Sequence, residues 1–133
     1  MMEATFLTIR VPRRVKNDPV IYVCSPYARD REANAKRAER YCRFVWEQGG
    51  IPLAPHLLFP RFLCEDTPAE RQAGLKMARK LLTMCDEMWV FGDRISQGMA
   101  AEIAEAAGRF IPIYHMSDAL TLTIEARQAR RGW

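Results

Sequence analysis

No stretch of this 133-residue chain approaches the roughly 20 consecutive apolar residues that an α-helix needs to cross a bilayer. Residues 1–14 lack the basic-then-apolar order and the small-residue cleavage site of a secretory signal, so the expectation is a cytoplasmic protein with no membrane partner. Glycine and proline are sparse, at 7 and 8 residues, which excludes fibrous and low-complexity chains. The four cysteines, Cys24, Cys42, Cys64 and Cys85, form no C-x-x-C pair. That spacing supports neither a zinc site nor a disulfide framework, and predicts reduced, mostly buried thiols with no metal and no cofactor. What is present, 49% hydrophobic and 27% charged residues, suits one domain over 1–133 with a single core.

The net charge of +4 belongs to the two ends. Residues 1–16 carry Arg10, Arg13, Arg14 and Lys16 against Glu3, and residues 117–133 carry Arg127, Arg130 and Arg131 against two acids. The segment between them is balanced. A nucleic-acid partner is therefore not expected, because no aromatic residues interleave with the terminal charges to stack bases.

A basic lead-in, 1–19, precedes a core at about 20–114. Val20-Ile21-Tyr22-Val23-Cys24 is short, apolar and β-branched and reads as a buried strand. From Asn34 to Gln48, Ala35, Ala38, Tyr41, Cys42 and Val45 recur at helical steps, and Gly49-Gly50 supplies a left-handed stop. Ile51 to Ala54 is a second strand candidate, followed by a long loop through Pro60 and Asp66. Thr67-Pro68-Ala69-Glu70 has the cap residue, first-position proline and third-position acid of a helix start, with the helix running to about Met84. Glu87 to Phe91 reads as a third strand, Gly98 to Ala107 as a helix closed by Gly108, Phe110 to Tyr114 as a fourth strand, and 118–131 as a terminal helix. Strands alternating with helices imply right-handed crossovers. The predicted architecture is a flavodoxin-like, doubly wound α/β sheet of four to five mainly parallel strands with helices on both faces.

In such sheets the ligand crevice lies beyond the carboxyl ends of the strands. The loops that meet there are 25–34, 55–66 and 92–98. In the last, Gly92-Asp93-Arg94-Ile95-Ser96-Gln97-Gly98 feeds a helix carrying Glu102, beside the sheet-facing stripe of Met99, Ile103 and Ala106. The helix dipole favours an ionised Glu102, and Gly98, Ala100 and Ala101 leave space around it. An acid near a helix start also arises simply to complement the dipole. Ser25, Pro26, Tyr27 and Arg29 follow the first strand, offering hydroxyl and guanidinium groups to a sugar or phosphate. Tyr22 lies within that strand, either as core or presenting its phenol to the crevice. His56 is expected to titrate near neutrality and to contact a base, or else to be a loop histidine bonded to backbone. Asp86 is expected to organise the start of the third strand.

Three segments carry a family resemblance: Ile21-Tyr22-Val23-Cys24-Ser25, Cys85-Asp86-Glu87-Met88-Trp89-Val90-Phe91, and Ser96-Gln97-Gly98-Met99-Ala100-Ala101-Glu102-Ile103. Together they resemble the nucleoside 2-deoxyribosyltransferase-like family, including its bacterial and phage branch, over roughly Val20 to Tyr114. The resemblance implies retaining displacement at the anomeric carbon of a deoxynucleoside or its 5′-monophosphate, by transfer or hydrolysis. Glu102 matches the family nucleophile and Tyr22 the strand tyrosine that orients it. Substrate contacts then fall to Ser25, Pro26, Tyr27, Arg29, His56, Asp93, Ser96, Gly98 and Met99. Ser96, six residues before Glu102, stands where transferases carry a sugar-binding Asp and nucleotide hydrolases a Ser near the phosphate, which leans toward a monophosphate.

One position departs from the pattern. The family places a further Asp about eight residues ahead of the third strand's leading Asp, to protonate or hold the departing base. Here that position is Ala78, beside Arg79 and Lys80. A non-catalytic nucleotide sensor of the same fold is therefore the alternative. The resemblance implies a homo-oligomer, with Trp46, Leu57-Leu58-Phe59 and Trp133 as candidate surfaces for such contacts, or else packed within their own chain.

Overall fold

The computed structural model describes residues 18–130, without the side chains of 128 and 129. Four strands, β1 (Val20–Cys24), β2 (Ile51–Leu53), β3 (Glu87–Val90) and β4 (Ile113–His115), form one all-parallel sheet in the order β2-β1-β3-β4. Four helices connect and cover it: α1 (Arg31–Glu47), α2 (Pro68–Leu82), α3 (Gln97–Gly108) and α4 (Asp118–Arg130). This is the flavodoxin-like α/β arrangement.

Side-chain alternation along the strands divides the core into two layers. Ile21 and Val23 of β1, with Trp89 and then Phe91, face one way and pack with Tyr41, Phe44 and Val45 of α1 and Leu120 and Ile124 of α4. Tyr22, Cys24, Met88 and Val90 face the other way, against Leu82 of α2 and Met99 and Ala106 of α3. Tyr41 stacks on Phe91 at 4.4 Å between centroids. The Tyr41 hydroxyl donates to Glu125, and Arg37 pairs with the same carboxylate at 3.6 Å, tying α4 to α1. Because α1 and α2 cover opposite faces, the strand order reverses between β1 and β3, the place at which open α/β sheets form a ligand crevice.

Several local expectations change. α1 starts at Arg31, earlier than Asn34, because the Asp30 side chain accepts from the Ala33 amide at 3.3 Å. Its end is as expected: Gly49 takes φ +93° and the Gly50 amide returns to the Val45 carbonyl at 3.0 Å. The capping box at Thr67 does not form. Glu70 Oε1 instead accepts from the Cys64 amide at 2.7 Å, and Thr67 makes no side-chain cap. α2 ends at Leu82, short of Met84. The 55–66 loop contains two 3₁₀ turns, Pro55–Leu57 and Phe59–Arg61. α3 runs through Gly108, and the left-handed residue after it is Phe110, at φ 60°. The Ile111 amide turns back to the Ala106 carbonyl, so β4 begins at Ile113 and not at Phe110. Asp86 behaves as expected, its carboxylate accepting from the Val20 amide at 2.8 Å.

Cys24 and Cys85 are buried and Cys42 is half-buried, but Cys64 is exposed, against the expectation for that thiol. No described helix is long and apolar enough to cross a membrane. Phe59 is buried and Leu57 is half-buried against the core, whereas Trp46 is 60% exposed and Leu58 48%. Trp133 and the basic residues Arg10, Arg13, Arg14, Lys16 and Arg131 lie outside the described residues. Arg127 pairs with Glu47 at 3.4 Å.

Candidate functional site

The crevice floor is made by the two central strands. The Phe91 amide donates to the Cys24 carbonyl at 2.8 Å, joining their carboxyl ends. Just beyond, Gly92 at φ +106° lies against Pro26, where a Cβ would stand 3.2 Å from the proline Cδ. Only glycine accepts both that conformation and that approach. Pro26 is thus a wall between the first and third crevice loops.

α3 descends over this floor. Its first turn is capped by Ser96, whose Oγ accepts from the Met99 amide at 3.2 Å. That oxygen holds the helix start, a structural duty the sequence reading had not assigned to it. Gly98 has nothing within 4 Å of a Cβ position, so the surface of the first turn is open. Met99 is buried, its side chain packed in the core layer formed by Tyr22, Cys24, Met88 and Val90. Glu102 falls in the second turn and points at β1.

Both oxygens of Glu102 are held by β1 side chains. The Tyr22 hydroxyl donates to Oε2 at 2.6 Å, and Cys24 Sγ lies 3.4 Å from Oε1. Burial pushes the Glu102 carboxyl above the ordinary range, and the hydrogen bonds from Tyr22 and Cys24 pull the other way without cancelling it. This reverses the expected direction, because desolvation is the largest influence on the carboxyl. Burial and the Glu102 charge together hold Tyr22 and Cys24 firmly protonated, so both are donors at any ordinary pH.

A second group gathers at the end of β1. Ser25, 5% exposed, places Oγ 3.2 Å from His56 Nε2, and the Tyr27 ring lies 5.3 Å from the imidazole at a 41° tilt. Burial pushes His56 down to about 4. It is therefore neutral at physiological pH, a hydrogen-bonding group and not the near-neutral titrating acid expected from its type. Its partner is a side chain, not backbone. The Asn34 amide group donates to the carbonyls of Tyr27 and Ala28 at 3.1 and 3.2 Å, fixing the loop that carries Tyr27.

The remaining candidates stand further out. Arg29 is exposed and left-handed, at φ 79°. Asp93 is exposed, on the loop between β3 and α3. Ala78 is buried on α2. Among the described residues, no three His, Cys, Asp or Glu side chains converge as a metal site.

Sequence reasoning missed Cys24. The signal was present: alternation along β1 puts residue 24 on the same face as Tyr22, one strand repeat nearer the crevice. No curated protein matches the sequence. A family described as a domain of unknown function (DUF7768) matches residues 19–116, which span all four strands and the whole Tyr22–Cys24–Glu102 arrangement. The chain belongs to the DUF7768 family.

Proposed function

We propose that the chain is a nucleoside 2-deoxyribosyltransferase-like enzyme that breaks the N-glycosidic bond of a deoxynucleoside or its 5′-monophosphate, with Glu102 as nucleophile. The observation that supports this is a half-buried carboxylate at the carboxyl ends of β1 and β3, clamped by Tyr22 and Cys24. Burial raises its basicity, and two fixed donors orient it without neutralising it.

In the reaction, a Glu102 oxygen forms a bond to the anomeric carbon as the bond to the base nitrogen breaks. The bonding pair leaves on the base, which takes a proton from water. Water or a second base then attacks the anomeric carbon from the other side, losing its proton to the hydroxide left in the first step, and Glu102 departs as a carboxylate, giving overall retention. Ser25, Tyr27 and His56 form the adjoining polar and aromatic wall suited to a base or sugar.

The test is a panel of deoxynucleosides and their 5′-monophosphates, with free base measured by chromatography. Glu102→Ala is expected to lower base release by at least about a thousandfold while the circular dichroism spectrum is retained. Absence of base release or exchange by the wild-type protein across the panel refutes the proposal.

Ala78 favours a second reading, a nucleotide-binding domain without turnover. No carboxyl group stands at that buried position, and His56, pushed down to about 4, is a poor proton donor to a leaving base at neutral pH. A ligand bound at a hundred times its dissociation constant then stabilises the fold by about 2.7 kcal/mol. Binding with no base release selects this reading.

A further inference from the structure

A carboxylate held through one oxygen still swings about its Cγ–Cδ bond. Tyr22 restrains Oε2 alone. The second restraint on Glu102 comes from Cys24, whose Sγ lies 3.4 Å from Oε1 and 4.0 Å from the Met99 carbonyl, three residues earlier on the same helix. Cys24 has no solvent exposure and sits in the central strand, paired in register with Val90. Its position is therefore set by the sheet and not by a mobile loop.

The chemistry of sulfur gives this contact its character. A thiol is a weak donor. It restrains the direction of an oxygen while withdrawing less charge from it than a hydroxyl or amide in the same place. With burial and the Glu102 charge keeping its proton in place, the thiol neither competes as a nucleophile nor forms a charged pair with the glutamate.

We propose that Cys24 is a positioning residue for Glu102, fixing Oε1 while Tyr22 fixes Oε2, so that the plane of the carboxylate is set before substrate arrives. This rests on Glu102 acting as the nucleophile described above. Its physical content, that the thiol donates to the carboxylate, is independent of turnover.

The experiment compares wild type, Cys24→Ala and Cys24→Ser, with the Glu102 carboxyl carbon followed through a pH titration by ¹³C NMR. Alanine removes the donor and is expected to move the titration upward. Serine supplies a stronger donor and is expected to move it downward. The infrared S–H stretching band is expected to shift when Glu102 is replaced in Glu102→Gln. In the base-release assay, Cys24→Ala is expected to lower kcat by about three- to tenfold with KM changed less than about twofold, and Cys24→Ser is expected to recover part of the loss. Identical Glu102 titrations in the three folded proteins overturn the proposal. Should Cys24→Ala fail to fold, an S–H band indifferent to Glu102→Gln, together with an unmoved titration in Cys24→Ser, overturns it equally. Ordered titrations in a protein that releases no base support the contact and refute the glycosidic reading instead.

Discussion

Replacing Tyr22 by Phe removes one hydroxyl from a fully buried ring and leaves the packing of β1 unchanged. The lost bond is 2.6 Å long and ends on a carboxylate. Hydrogen bonds to charged groups contribute about 1.5–3 kcal/mol, against about 0.5–1.5 kcal/mol between neutral groups. Tyr22→Phe is therefore expected to cost about 2 kcal/mol above the pH at which Glu102 ionises, and about 1 kcal/mol in a Glu102→Gln background, where the acceptor is an uncharged amide oxygen. A small domain loses roughly 1–3 kcal/mol of stability per molar urea, so the first substitution moves the unfolding midpoint by on the order of 1 M. The assay is urea unfolding of the four proteins of the double-mutant cycle at several pH values. Burial raises the Glu102 titration, so the carboxyl contributes stability below its unfolded range that is lost as pH rises through its folded value. Over that window the cost of Tyr22→Phe should grow. A cost below about 0.5 kcal/mol, or one indifferent both to pH and to Glu102→Gln, refutes the claim that the phenol is bonded to an ionised glutamate.

Phe110 is 92% exposed with φ at 60°, so Phe110→Gly sacrifices little burial and removes a left-handed penalty of about 1–2 kcal/mol, partly offset by glycine's freedom in the unfolded chain; a net gain of about 0.5–1 kcal/mol in thermal or urea unfolding is expected. His56 is pushed down to about 4 by burial, so its contribution is present above its unfolded value of about 6.5 and is lost as pH falls toward 4; the wild type should lose up to about 3 kcal/mol more than His56→Gln over that interval, measured as the difference between their stability–pH curves. Trp46, with the Arg43 guanidinium 4.7 Å above its ring, borders a groove of about 540 Å³ shared with Glu39, Cys42 and Leu57. If copies of the chain associate there, Trp46→Ala lowers the sedimentation coefficient at fixed concentration, and an unchanged value rules that face out.

The central strands and the layer order were legible because their signals are local and redundant. Val20 to Cys24 is β-branched, apolar and bounded by turn residues, and Gly49 supplied a conformation that other residues resist. The errors arose where one side chain has two available partners. Glu70 carries the spacing of a capping box, yet its carboxylate accepts from the Cys64 amide, a choice made by the fold of the preceding loop. Gly108 does end α3, while the left-handed residue comes two positions later, at Phe110. Within the site, the Tyr22 and Glu102 positions could be singled out along the chain, whereas the reversal in Glu102's titration depends on burial between two elements that are 80 residues apart. His56 was misjudged for the same reason, since its chain neighbours do not disclose its enclosure.

The division of labour within β1 has a consequence for what kinds of sequence change this protein can absorb. Odd positions furnish one hydrophobic layer, while even positions carry the groups that grip Glu102. Inserting or deleting one residue there would trade the two sets, directing a phenol and a thiol into the apolar side and two aliphatic chains toward the glutamate. Length variation is thus barred from this strand by core and chemistry together, and is displaced to the connecting segments on either side.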